Sequence, residues 1–179
     1  MSEVILELVE EFFQQRRYFT ARHENLILVR KLTRQEESSE TGFILDESSV
    51  ENLSAAVVKP LAWHTCKITT RVLETFPEIL EFAHQERIKK FAEWFRDEQF
   101  CKLLIIPQFP AHFDLRQKVI KRLEDTGIDH IMTIPSIILG VINRIDPRKV
   151  YSSRICDLLR ILKFYNIISS TSEQMELPL

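Results

Sequence analysis

Between Lys102 and Ile134 the chain has little choice of architecture. The run Lys102 to Ile106 (KLLII) is apolar, is bounded by Pro107 and Pro110, and has the length of a strand buried on both faces. A helical segment follows, capped by Asp114, running to about Thr126 and closed by Gly127. Asp129 to Ile134 is a second short apolar strand. Strand, helix and strand in that order almost always form a right-handed parallel crossover, whose sheet needs cover on both faces.

The rest of the pattern supplies that cover. Ile5, Val9, Phe12 and Phe13 recur at helical spacing and predict a helix from Ser2 to Arg17, with Ser2 as cap and Glu3 against the N-terminal dipole. Leu26 to Leu32 and Ala55 to Trp63 read as strands. No long helix joins them, so an antiparallel pair is expected. Pro60 lacks an amide hydrogen, which places that end of the second strand at a sheet edge or bulge. The Ser-rich, acidic stretch from Gln35 to Asn52 reads as a long excursion whose centre, Gly42 to Leu45, is compatible with a short strand. Thr70 to Glu98 is helical, with Pro77 opening its second part. Pro135 opens a helix through Ile145, and Ser152 or Ser153 caps the last one, which ends near Tyr165. The expected fold is α/β, a mixed β-sheet flanked by helices, with residues 1–168 as one domain and residues 169–179 as a flexible tail.

Several chemistries are excluded by what is scarce. The 179 residues hold three glycines, Gly42, Gly127 and Gly140, too dispersed for a Walker-type loop or a dinucleotide fingerprint. Cys66, Cys101 and Cys156 are odd in number and far apart, with no CxxC pair, which argues for reduced thiols and against a disulfide framework or zinc site. No apolar run approaches the roughly 18–20 residues that span a bilayer. The opening MSEVILELVEEFF threads Glu3, Glu7, Glu10 and Glu11 through its apolar positions, so no signal peptide is expected. A cytoplasmic protein with no membrane partner follows. Trp63-His64-Thr65-Cys66 places two side chains on one strand face, but two ligands do not make a metal site, and a structural histidine beside a packed tryptophan is expected. No metal ligands are assigned.

Charge is segregated. Arg16, Arg17, Arg22, Arg30, Lys31 and Arg34 stand against a single Glu24 between Gln14 and Arg34. The next stretch holds Glu36, Glu37, Glu40, Asp46, Glu47 and Glu51 with no basic residue. A second basic stretch runs from Arg144 to Lys163. Such segregation marks either a nucleic-acid surface or faces that pair with their oppositely charged neighbours. Tyr18 and Phe19, flanked by Arg16, Arg17 and Arg22, are the aromatics placed to stack on bases.

The order helix, antiparallel strands, helix, strand, helix, strand over roughly Ser2 to Ile134 resembles the core of the PD-(D/E)XK superfamily, the restriction-endonuclease-like fold. In that family an acid after one strand, and a Glu or Asp two residues before a Lys on the next, hold magnesium. The corresponding strand here reads Val57-Val58-Lys59. The lysine is in place and the acid is a valine, which cannot bind magnesium. The resemblance thus implies a nuclease-like fold without its chemistry, with Asp46 and Lys59 as the catalytic remnants to examine. It leaves Arg16, Arg17, Arg22, Arg30 and Lys59 as candidate phosphate contacts, Lys59 being equally readable as a lysine snorkelling from a strand edge.

The final residues, Gln174-Met175-Glu176-Leu177-Pro178-Leu179, resemble the glutamine-plus-hydrophobic peptide by which many bacterial DNA replication and repair proteins dock on the sliding clamp. Gln174, Met175, Leu177 and Leu179 are the implied contacts; the alternative is a tail that tucks onto its own domain or a twin subunit. Three readings result. The first is a nucleic-acid-associated protein that has lost catalysis, with a role in DNA maintenance. The second is an assembly subunit that binds neither nucleic acid nor metal. The third is a magnesium-dependent nuclease whose second acid comes from Glu7, Glu10 or Glu11. Only the third needs a cofactor.

Overall fold

The structure, a computed structural model, describes residues 3–32, 42–61, 67–95 and 99–168. A five-stranded mixed sheet forms its middle layer: β1 (Tyr18–His23), β2 (Leu26–Lys31), β3 (Ala55–Pro60), β4 (Cys101–Ile106) and β5 (His130–Thr133), lying side by side in chain order. β2 runs antiparallel to both β1 and β3, whereas β3, β4 and β5 are parallel. The α/β expectation holds, as does the parallel crossover from β4 to β5.

Alternation along the strands divides the core in two. Ile27, Val29, Ala56, Val58, Leu103, Ile105 and Met132 face one layer. Against them pack α1 (Glu3–Gln14), α5 (Ile134–Arg144) and α6 (Arg154–Phe164). Leu26, Leu28, Ala55, Val57, Leu104, Ile106 and Ile131 face the other. There lie α2 (Thr70–Thr75), α3 (Gln85–Phe95) and α4 (Phe113–Asp125).

Five local expectations need correction. Asp114 does not cap α4 but lies in its first turn, and His112 is the N-cap and makes no side-chain capping hydrogen bond. The first helix stops at Gln14, three residues short of Arg17, because Arg17 turns into the left-handed region (φ 62°) to start β1. β1 is not among the strands the sequence predicts: as an edge strand it buries only Tyr18 fully, so its sequence carries little of the apolar alternation by which strands are recognised. Pro60 is not at a sheet edge. It is the last residue of central β3, and the ladder resumes one residue later with Leu61 N donating to Ile105 O at 2.8 Å. The helical region after Thr70 is broken by Pro77 into α2, two short 3-10 turns and α3. The segment from Gly42 runs along β5, with Leu45 N donating to Ile131 O and Ile131 N to Phe43 O, both at 2.8 Å.

α1 and α5 touch at Gly140. A Cβ built there would lie 2.5 Å from Phe12 Cε2 and 2.8 Å from Arg16 Nη2. Phe12 is fully buried and has nowhere to retreat. Gly140→Ala is therefore expected to lower stability by about 1–3 kcal/mol through overpacking, read as a shift in the urea midpoint at unchanged slope; an unshifted midpoint would show that the contact yields freely.

Candidate nucleic-acid interface

Val57 and Lys59 share one side of β3, facing the layer of α2, α3 and α4. The cross-strand partner of Val57 is Leu28, and both side chains are buried. The position to which the resemblance would assign an acid is thus hydrocarbon. Lys59 is only 8 % exposed, and among the described residues no hydrogen bond or ion pair reaches its Nζ. Burial pulls its pKa below the ordinary value, with Arg87 adding to the effect; Glu81, Glu24 and Glu78 oppose it. Arg87 engages two of those acids, Glu81 at 3.4 Å and Glu24 at 3.9 Å.

Asp46 lies elsewhere. Its Oδ1 accepts from Ser48 N (3.0 Å), Ser48 Oγ (2.8 Å), Ser49 N (2.7 Å) and Ser49 Oγ (2.6 Å). The hydrogen bonds from Ser49, then Ser48, hold its pKa down to about 2. It shapes the 3-10 turn Ser49–Asn52, whose Val50 packs in the layer of α1, across the sheet from the face that carries Lys59. Glu7, Glu10 and Glu11 belong to α1, in that same layer. The acids proposed to work with Lys59 are therefore not beside it. Among the described residues no group of three or more His, Cys, Asp or Glu is arranged to hold a metal ion. Lys59 therefore has neither Asp46 nor the α1 glutamates beside it to hold a magnesium ion with it.

The arginines part company in the fold. Arg16 is buried: Nη1 donates to Phe12 O (3.1 Å), Nη2 to Gly140 O (3.4 Å), Nη2 stands 3.5 Å from Glu47, and the guanidinium lies 3.7 Å from the Phe12 ring centroid. Desolvation lowers its pKa to about 10, with Arg144 adding and Glu47 opposing, so it stays charged at neutral pH. It is an internal residue and cannot meet a phosphate backbone. Arg22 is exposed but forked onto Glu10 (2.7 and 2.5 Å) and also donates to Glu3. From the second basic stretch, Arg144 pairs with Glu51, while Asn143 Nδ2 donates to Glu47 at 2.9 Å. Arg17 is exposed where β1 begins, and Arg30 is half-buried on β2.

Of the two stacking aromatics, Tyr18 is buried with its hydroxyl 2.7 Å from Val50 O and 2.6 Å from Leu53 O. Phe19 is 51 % exposed and stacks on Trp94 of α3 at 6.1 Å between centroids and 28° between planes. Arg30, the cross-strand partner of Phe19, lies over the Trp94 ring at 5.9 Å. α3 runs back along β1, with Arg87 near Glu24, Phe91 edge-on to His23 at 5.5 Å, and Trp94 on Phe19. Helical spacing puts exposed Lys90 on the same flank as Trp94. The result is a partly exposed Phe19–Trp94 stack with Arg30 over it, Lys90 one helical turn from Trp94, and exposed Arg17 two residues before Phe19 in the chain. Trp94 looks like a core aromatic in the sequence, and only its cross-layer partners reveal it. The Trp63–Cys66 cluster, Arg34, the acids Glu36, Glu37 and Glu40, and the tail contacts Gln174, Met175, Leu177 and Leu179 lie outside the described residues.

Compared with known proteins, the chain matches no family model, no curated protein and no solved structure. No helix among the described residues is long and apolar enough to cross a membrane.

Lys59 supplies a test of this geometry. A lysine whose pKa is lowered by folding opposes the folded state below that pKa, and the opposition fades as pH rises to the unfolded value, ordinarily 10.5. Lys59→Met should therefore be more stable than the wild type near neutral pH, by about 1 kcal/mol. The gap should close as pH approaches 10.5. Chemical unfolding at several pH values would detect it, and a variant less stable at neutral pH would mean that Lys59 holds a favourable partner.

Proposed function

We propose that this protein associates with nucleic acid without cutting it, on a restriction-endonuclease-like scaffold. The observation that carries the reading is the partly exposed Phe19–Trp94 stack with Arg30 over it, with exposed Lys90 a helical turn from Trp94 and exposed Arg17 two residues before Phe19 in the chain. Aromatic faces among cations hold unpaired bases by stacking while the cations neutralise phosphates, without demanding a particular sequence. Single-stranded or locally opened nucleic acid is the form whose bases such a strip can reach. The scaffold reading is supported by the order of elements: α1, three antiparallel strands, then strands parallel to the third. The loss of cleavage is supported by Val57 and Leu28 at the expected metal position. Arg16, Arg22 and Lys59 are left out of the contact surface because they are buried or paired. The tail's resemblance to a clamp-binding peptide fits a role in DNA maintenance, as a separate contact.

The second reading, an assembly subunit, is favoured by one set of contacts. Arg16 with Glu47 and Arg144 with Glu51 join both basic stretches to the acidic segment, which removes much of the positive field that nucleic acid would need. Fluorescence anisotropy of labelled single- and double-stranded oligonucleotides, titrated at several salt concentrations, separates the two. The nucleic-acid reading expects preference for the single strand and a log–log salt slope near −2, about −0.7 for each of three cations. Phe19→Ala should weaken binding by about 1–3 kcal/mol per stacked base, whereas Arg22→Ala should change it little. No binding at low salt would overturn this reading in favour of assembly.

A further inference from the structure

α6 is apolar on two sides. Inward, Cys156 is fully buried, and Ile155 and Leu159 pack on the core. Gln15 donates to Cys156 Sγ at 3.4 Å, and Lys163 Nζ donates to Ile142 O and Ile145 O at 2.8 and 2.9 Å, which fastens the helix to α1 and α5. Outward, Leu158 and Ile161 are 57 % and 39 % exposed, Phe164 and Tyr165 60 % and 68 %, and Ile167 just beyond is 67 % exposed. A surface helix ordinarily turns its polar side to water, and one apolar all round is a helix with cover on both sides.

We propose that the outer face of α6 is the seam of a homodimer, in which it packs antiparallel against α6 of a second copy. This inference does not depend on nucleic-acid binding. The area fits: the five side chains expose on the order of 500 Å², near the top of the range for the largest patch on an ordinary monomer and more than half of the ~800 Å² that one partner gives to a standard interface. The pattern fits as well. Arg154, Leu158, Ile161 and Tyr165 stand four, three and four residues apart, the spacing of a helix–helix seam, and it reads the same in both directions. A two-fold axis between Leu158 and Ile161 sets each of these against the other on its partner, as a self-complementary interface requires.

Charge selects the direction. In the antiparallel pair Arg154, exposed at the N-terminal end of the seam, meets the partner's last helical turn, where the negative end of the helix dipole and the Tyr165 ring favour a cation. A parallel pair would set Arg154 against its own copy.

The test is sedimentation velocity on the full chain over a wide range of concentration. The wild type should approach twice its 21.2 kDa. Leu158→Glu and Ile161→Lys, both at exposed positions and so compatible with folding, should each weaken association at least tenfold. Mixing the two variants in equal amounts should restore the dimer, because antiparallel packing sets the new glutamate against the new lysine and leaves the other Leu158–Ile161 contact intact. A mixture that stays monomeric, or single variants that stay dimeric, overturns the proposal. A wild type that is monomeric at every concentration also overturns it; if removal of residues 169–179 then allows association, the chain's own tail is the cover.

Discussion

The buried guanidinium of Arg16 constrains more of this molecule than any other single group. A cation taken out of water must find acceptors for its donors or destabilise the fold by several kcal/mol. Arg16 finds them in three places: the last turn of α1 at Phe12 O, α5 at Gly140 O, and the acidic segment at Glu47. The first two explain why α5 carries a glycine where it crosses α1. The third draws the Asp46–Asn52 turn onto the α1 layer, where Tyr18 and Val50 complete the packing. Asp46 thereby lies across the sheet from Lys59.

How much of this is legible in the sequence varies by element. The β4–α4–β5 crossover is, because an apolar pentapeptide stopped by Pro107, a helical segment closed by Gly127 and a second apolar run leave few alternatives. β2 and β3 are as well, and so is the Ser153 cap of α6, whose hydroxyl accepts from Cys156 N. β1 is not: Tyr-Phe-Thr-Ala-Arg-His has one fully buried residue, and an edge strand has only one neighbour to impose a pattern on it. Pro60 misleads for a related reason. The rule against proline inside sheets concerns amide donors within the ladder, and the last residue of a central strand can go without one.

At the candidate site the division is sharper. Arginine composition reads as surface, so nothing local announces that Arg16 is internal or that Arg22 is occupied by two glutamates of α1. That Val57 is apolar is visible from sequence, since it is a matter of residue type. The stack of Phe19 on Trp94 joins residues 75 positions apart (94 − 19) and depends on α3 running back along β1, a tertiary fact. The two surfaces left exposed after internal pairing lie in opposite layers, the aromatic strip with α3 and the apolar stripe on α6. A dimer formed through α6 therefore keeps both aromatic strips open, and two strips on one particle would bind a longer strand more tightly than either alone.

If bases stack on the Phe19–Trp94 pair, Trp94 can report it directly. The chain has two tryptophans, Trp63 and Trp94, so a Trp63→Phe background leaves Trp94 as the sole indole. Its fluorescence would be followed as a single-stranded oligonucleotide is added at low salt and then displaced by raising the salt. Stacking predicts saturable quenching that reverses with salt and is much reduced by Phe19→Ala. Binding seen by anisotropy with no change in Trp94 emission would contradict the account, placing the contact elsewhere on the protein.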